Sequence, residues 1–352
     1  MSGAARVDRA ATEVVLPRPV GPDGLETRVR ELPAPGVGEA LVRMEATGVS
    51  FAEQQMRLGR YHDQPSFPFV PGYDVVGVVE AVGPDVGPAL VGRRVAAVLK
   101  VGGWASRLLV AAGDLVPVPD GIGAAEAEAV LVNGITAWQL LHRAARVRRG
   151  GAVVVLGANG GVGSVLVQLA RHAGITVIGT ASAGHHDAVR ALGATPVDYR
   201  EPGLPDRLRA LAPDGVDAVF DHVGGPGLVD SWRLVRGGGT LVNYGSASTK
   251  DEKGSVLGAA ALFGRLYLWD LLPNGKRALF YDFWAGRRRL ADFRARHRAD
   301  LTEVLSLVAN GALAPRVAAR VPLSRAGEAL ALAESRTALG KVVIVADSWG
   351  KP

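Results

Sequence analysis

The 352-residue sequence predicts an α/β protein in two parts, a β-rich half followed by a doubly wound parallel sheet. Three observations carry that prediction. Residues 13 to about 118 form short β-rich segments, such as 40–45 and 75–82, punctuated by turns at 33–36 and 83–84. From residue 124 the pattern changes to helix and then to strands alternating with helices, the signature of parallel β-α-β units. Between them stands the β-branched run Val153, Val154, Val155, Leu156, which enters the glycine-rich turn of Gly157, Gly160, Gly161 and Gly163 ahead of a helical pattern over 165–172.

The elements follow in order. A helix is expected over 124–143, then strands at 153–157, 176–180, 216–221 and 240–244, separated by helices at 165–173, 186–192 and 228–235. The last strands, 317–321 and 340–346, punctuated by Pro322 and Gly340, are expected to rejoin the β-rich half, which reads as a small barrel. No internal repeat or low-complexity tract interrupts this plan.

The glycine turn carries the first functional reading. A strand that delivers the chain to such a turn, with a helix N-terminus behind it, offers backbone N–H groups and the positive end of the helix dipole to a pyrophosphate. Ala158, Asn159, Gly160, Gly161, Val162 and Gly163 are therefore candidate dinucleotide-binding residues. The strand 176–180 should end beside the adenosine ribose, where an acid would bind the two hydroxyls of NAD. No acid stands there: the chain reads Ala181, Ser182, Ala183, Gly184, His185, His186. That favours NADP(H), with Ser182, His185 and His186 near its extra phosphate. Ser182 is equally suited to capping the next helix.

Composition excludes other classes. With no cysteine there is no disulfide and no thiolate metal site, and the seven histidines lack metalloprotease spacing, so no metal is expected. The net charge is +6, yet the basic residues are interspersed with acids; the arginine run over 287–298 reads as the solvated face of a helix, not as a nucleic-acid surface. The longest apolar stretch, 255–272, is interrupted by Arg265 and Asp270, and the N-terminus lacks a secretory pattern, so neither a membrane span nor export is expected and the location reads as cytoplasmic.

Over nearly its whole length the chain resembles the medium-chain dehydrogenase/reductase superfamily, within it the zinc-free quinone oxidoreductase branch. The motifs that carry the resemblance are 48–53 (GVSFAE), 67–77 (FPFVPGYDVVG), 133–138 (NGITAW), the AxGGVG-like turn at 158–163 and the closing GKVV at 340–343. The resemblance implies a GroES-like β-barrel catalytic domain over 1–127, completed by 312–352, and a Rossmann domain over 128–311. Where zinc-dependent relatives carry Cys and His ligands this chain has Ser50 and Tyr73. Where many quinone reductases have Asn and Tyr it has Ser50 and Gln55.

The activity implied is NADPH-dependent hydride transfer to a small quinone or α,β-unsaturated carbonyl, with Ser50, Tyr61 and Asn133 as candidate donors to the oxygen that gathers negative charge. Resemblance also places Thr136, Asn243 and Gly245 near the nicotinamide, and Tyr199 and Arg336 near the adenosine phosphate. A homodimer is the expected assembly. An enoyl-thioester reductase and a nucleotide-binding adaptor without turnover are the alternatives. The aromatic segment 262–298 reads as extra helical packing or dimer surface, with a substrate-shaping lid as the functional alternative.

Overall fold

The computed structural model describes residues 8–61, 63–245, 256–335 and 337–350, with backbone alone over 256–260. The chain divides into two compact units, Met1–Val132 with Arg294–Pro352, and Asn133–Phe293.

The first unit is mostly antiparallel sheet. A hairpin of β1 (Ala10–Val15) and β2 (Glu26–Glu31) leads into β3 (Glu39–Gly48), which runs through helix α1 (Phe51–Arg57) to β4 (Asp74–Val82). Strands β5 (Arg94–Val98), β6 (Arg107–Ala111) and β7 (Val116–Pro117) follow, with β6 pairing β3 and β5 pairing β4 and β7. Alternation along β3 buries Ala40, Val42 and Met44 against Val75, Val79, Val95 and Trp104.

The second unit is reached through α2 (Ala124–Trp138), which continues as a π-helical segment, Gln139–Ala145, instead of the single α-helix expected through residue 143. The wider turn holds Gln139 buried, where it accepts a hydrogen bond from the Tyr281 hydroxyl at 2.8 Å. Then come β8 (Ala152–Val155), α3 (Gly161–His172), β9 (Thr176–Ala181), α4 (His186–Leu192), β10 (Thr195–Asp198), α5 (Leu204–Leu211), β11 (Val216–Asp221), α6 (Leu228–Leu234), β12 (Val235–Asn243), α7 (Val256–Asp270) and β13 (Arg277–Phe280). Among the described residues the six strands form one parallel sheet in the order β10-β9-β8-β11-β12-β13. This is the Rossmann order, and the crevice where it reverses, between β8 and β11, opens at the carboxyl ends of the strands. Val153, Val154 and Val155 are buried on both faces of β8, about 1.5–3 kcal/mol for each such side chain.

After α8 (Leu290–Ala309) the chain adds β14 (Val317–Pro322), α9 (Ala326–Ser335) and β15 (Lys341–Val345). β15 pairs β3 antiparallel and β14 parallel, so the closing strands do rejoin the first sheet. The architecture is a GroES-like domain with a Rossmann domain, as the sequence predicts.

Three further sequence expectations change. Strand β10 was not anticipated because Pro196 breaks its pattern; as an edge strand it needs fewer N–H donors and tolerates the proline. The glycine helix starts at Gly161, four residues earlier than its apolar periodicity suggests. The arginine run is not one solvated face. Arg287 stacks over Trp284 at 5.0 Å, Arg294 grips both oxygens of Asp114 at 2.6 and 2.9 Å, and Arg298 donates to the Gly113 carbonyl. The neighbouring aromatics are partly packing, with Trp232 stacked on Trp269 and Trp284 on Phe293, while Phe263, Tyr267 and Leu268 remain exposed. No helix among the described residues is long and apolar enough to cross a membrane.

Candidate active-site residues

In the Rossmann unit the glycine turn is held by β9: Gly157 N–H donates to Thr180 Oγ1 and Ala158 N–H to the Thr180 carbonyl, both at 2.9 Å. A Cβ on Gly163 would lie 2.2 Å from the Gly157 carbonyl oxygen, so helix α3 can pack this close only with glycine there. The helix is capped by Gly160, which has no side chain to accept from the first-turn N–H groups of Gly161, Val162 and Gly163. That is an anion cradle of the kind a pyrophosphate occupies. Asn133, inside α2 and not at its end, lies against Gly161: a Cβ there would sit 2.8 Å from Asn133 Nδ2. Thr136 is buried one turn further on.

At the end of β9, Ser182 makes no capping bond. The Ala183 N–H donates instead to Asp198 Oδ2 at 2.9 Å, and Asp198 Oδ1 accepts from Arg200 N–H at 2.8 Å. Those backbone donors, Arg200 foremost and then Ala183, hold the Asp198 carboxyl below the usual range. An acid therefore does approach this turn, from β10, but with its oxygens engaged by backbone. His186 Nε2 lies 3.3 Å from the Ala181 carbonyl. His185 Nδ1 is buried without a hydrogen-bond partner among the described residues, a polar atom suited to meet a ligand oxygen. Tyr199 follows β10 and is half exposed, with the Arg200 guanidinium over its ring. Arg336 lies outside the described residues.

The end of β12 completes this half. Asn243 is fully buried, donates through Nδ2 to the Asp221 carbonyl at 3.0 Å, and keeps Oδ1 without a donor among the described residues. The Tyr244 phenol is pushed up by burial and then by Asp221. Gly245 lies against the His222 backbone, and the His222 ring would meet a Cβ on Gly157 at 2.4 Å. His222, between the phosphate turn and Gly245, carries no sequence signal, because it belongs to none of the family motifs.

The GroES-like unit holds the other candidates. Ser50 caps α1, its Oγ accepting from Ala52 N–H at 3.1 Å and donating to Glu53 Oε2, which also accepts the Ser50 N–H at 2.8 Å. Glu53 Oε1 accepts the Tyr73 N–H at 2.8 Å. The hydroxyls of Tyr61 and Tyr73 lie 2.5 Å apart.

Beneath them Asp74 Oδ1 accepts the Gly48 N–H at 2.9 Å, and Lys341 Nζ sits 3.3 Å from Glu128 Oε1. A Cβ on Gly48 would fall 2.0 Å from that carboxylate, so glycine is what admits the ion pair. Burial pushes the Glu53 and Glu128 carboxyls up, against the pull of Lys341. Burial pushes Lys341 down, but Glu128, Asp74 and Glu53 more than reverse it, leaving the ammonium above its ordinary value. The signals for this network were present: Ser50 and Glu53 are spaced as a capping box, and Lys341 opens a strand that is otherwise wholly apolar. Among the described residues, no three His, Asp or Glu side chains are grouped to hold a metal.

Comparison with known proteins agrees with this architecture. A model described as "Alcohol dehydrogenase GroES-like domain" matches residues 36–120, and one described as "Zinc-binding dehydrogenase" matches 192–344. The chain is 31% identical to the synaptic vesicle membrane protein VAT-1 homolog of Mus musculus, covering 91% of this chain and 80% of that one. It is 31% identical to a 2-haloacrylate reductase of Burkholderia sp, over 77% of this chain and 87% of that one. Escherichia coli quinone oxidoreductase complexed with NADPH superimposes with a TM-score of 0.83 at 25% identity, covering 95% and 99% of the two chains. The protein belongs to the medium-chain dehydrogenase/reductase superfamily, in its zinc-free quinone oxidoreductase-like branch.

Proposed function

We propose that this protein is an NADPH-dependent, zinc-independent reductase that delivers hydride to a quinone or an α,β-unsaturated carbonyl. The observation that carries the reading is the glycine-capped α3 N-terminus behind a turn that only glycine permits, next to a β9 end that lacks its own carboxylate. Relatives described as reductases, and a superimposable structure complexed with NADPH, support it.

Bound NADPH supplies the hydride. The N–H groups of Gly161, Val162 and Gly163 bind the pyrophosphate, with Ala158, Asn159 and Gly160 shaping the turn. Ser182, His185, His186, Tyr199 and Arg336 meet the adenosine phosphate; Thr136, Asn243 and Gly245 line the nicotinamide. Tyr61, with Asn133, donates to the acceptor oxygen as it gains charge. Ser50 supports that donor, because its own hydroxyl hydrogen is directed at Glu53.

The test is NADPH oxidation against quinones, enones, enoyl thioesters and 2-haloacrylate, with NADH in parallel. Turnover of quinones or enones with NADPH preferred is the expected result. Equal use of NADH overturns the phosphate assignment, and preference for thioesters overturns the substrate assignment. The assembly proposed is a homodimer, to be checked by light scattering.

A further inference from the structure

We infer that Tyr73, anchored by Glu53, is a positioning residue that fixes the hydroxyl of Tyr61 for proton delivery to the acceptor oxygen. The inference rests on the reductase reading and names a part of its machinery. Tyr61 lies in the turn after α1, held on its backbone by reciprocal bonds with Gln64: its N–H donates to Gln64 Oε1 at 3.2 Å and its carbonyl accepts the Gln64 N–H at 3.3 Å. A general acid works only when its hydroxyl is held in one place. The Tyr73 hydroxyl, 2.5 Å away, supplies the second fixed point, and the two rings meet edge to face at 88° with centroids 6.1 Å apart.

Tyr73 itself is immobilised. It is 5% exposed, its N–H is bound by Glu53 Oε1, its carbonyl accepts the Leu99 N–H at 2.8 Å, and the next residue begins β4. Glu53 is buried in turn and ties Ser50 to the same carboxylate, so Ser50 and Tyr73 share one rigid frame. Of the two phenols, Tyr61 is the more accessible and Tyr73 the buried one. With Tyr73 as the donor of the pair, the proton of the Tyr61 hydroxyl is not committed to Tyr73. When hydride from NADPH reaches the acceptor, the proton of the Tyr61 O–H bond passes to the acceptor oxygen. The bonding pair stays on the Tyr61 oxygen, where the Tyr73 hydroxyl stabilises it until solvent returns a proton.

A double-mutant cycle tests this. Wild type, Tyr73→Phe, Tyr61→Phe and the double variant are compared for kcat and KM with NADPH and an enone, and for NADPH affinity by fluorescence. Tyr73→Phe keeps the ring and should lower kcat about 10-fold while KM shifts less than about 2-fold and NADPH affinity holds. In the Tyr61→Phe background the same change should cost nothing further. Glu53→Gln, which keeps the shape but weakens the anchor, should lower kcat in the same direction. A wild-type kcat in Tyr73→Phe overturns the inference, as does an equal loss in the Tyr61→Phe background, which would mark a structural role. Absence of turnover by the wild type despite NADPH binding removes the reductase reading, and this inference with it.

Discussion

The Rossmann unit buries valines on both faces of its central strand and leaves its working groups at the strand ends, mostly as backbone N–H and glycine. The GroES-like unit does the reverse, placing Glu53, Asp74, Glu128 and Lys341 in its interior and hanging its candidate donors from them. The difference follows from what each has to hold. A pyrophosphate is met by a helix terminus, which needs close approach and no side chain. A proton donor needs a hydroxyl aimed at one point, and in this unit an interior charge network supplies the aim.

The network gives the largest effect. Lys341→Met leaves three buried carboxylates without their cation and should destabilise the protein by about 3–5 kcal/mol in denaturant titration; a loss below about 1 kcal/mol would mean the charges merely tolerate one another. Their pH dependence has a defined sign. The Glu128 carboxyl is raised above 4.5 by burial, so its contribution to stability is complete below 4.5 and is lost as pH rises through its folded value. Lys341 is raised above 10.5, so its contribution is complete below 10.5 and fails only on the alkaline side. Glu128→Gln should therefore remove the loss of stability that sets in as pH rises from 4.5 through the folded value of Glu128, and leave the alkaline loss that follows Lys341; a pH profile of the denaturation midpoint checks it.

The Rossmann unit should respond to backbone crowding instead. Gly163→Ala places a methyl 2.2 Å from the Gly157 oxygen and should weaken NADPH binding roughly 10- to 100-fold, about 1.4–2.7 kcal/mol, by fluorescence titration. An unchanged affinity would separate the turn from the nucleotide.

How much of this was readable from the sequence differs between the units for the same reason. Strand β11, helix α4 and the glycine turn announce themselves through local periodicity and turn chemistry, so the sheet was legible. Strand β10 was not, because its pairing partner and edge position, which excuse Pro196, are tertiary facts. The same holds for Asp198, which comes to the β9 turn from the neighbouring strand in register with Ala181. In the GroES-like unit Ser50, Glu53, Tyr61 and Lys341 were all visible as letters, but they are separated by up to 291 positions. No spacing rule joins Lys341 to Glu128, or Tyr61 to Tyr73; only the tertiary fold does.

Ser50 gives the smallest effect and the sharpest separation between the two ways of holding a site. As a donor to the acceptor oxygen its loss would remove transition-state stabilisation, on the order of 10²-fold in kcat. As the cap of α1 its loss removes one helix-end hydrogen bond and one contact to Glu53, about 1 kcal/mol of stability, with kcat reduced no more than about 3-fold. The hydroxyl geometry favours the second outcome: its hydrogen is directed at Glu53 Oε2 and its lone pair accepts the Ala52 N–H. Ser50→Ala, followed by thermal denaturation and by kcat with NADPH and an enone, decides between them. A stable variant with a large loss of kcat would place Ser50 among the reacting groups, and would mean that Glu53 releases its hydroxyl when substrate arrives.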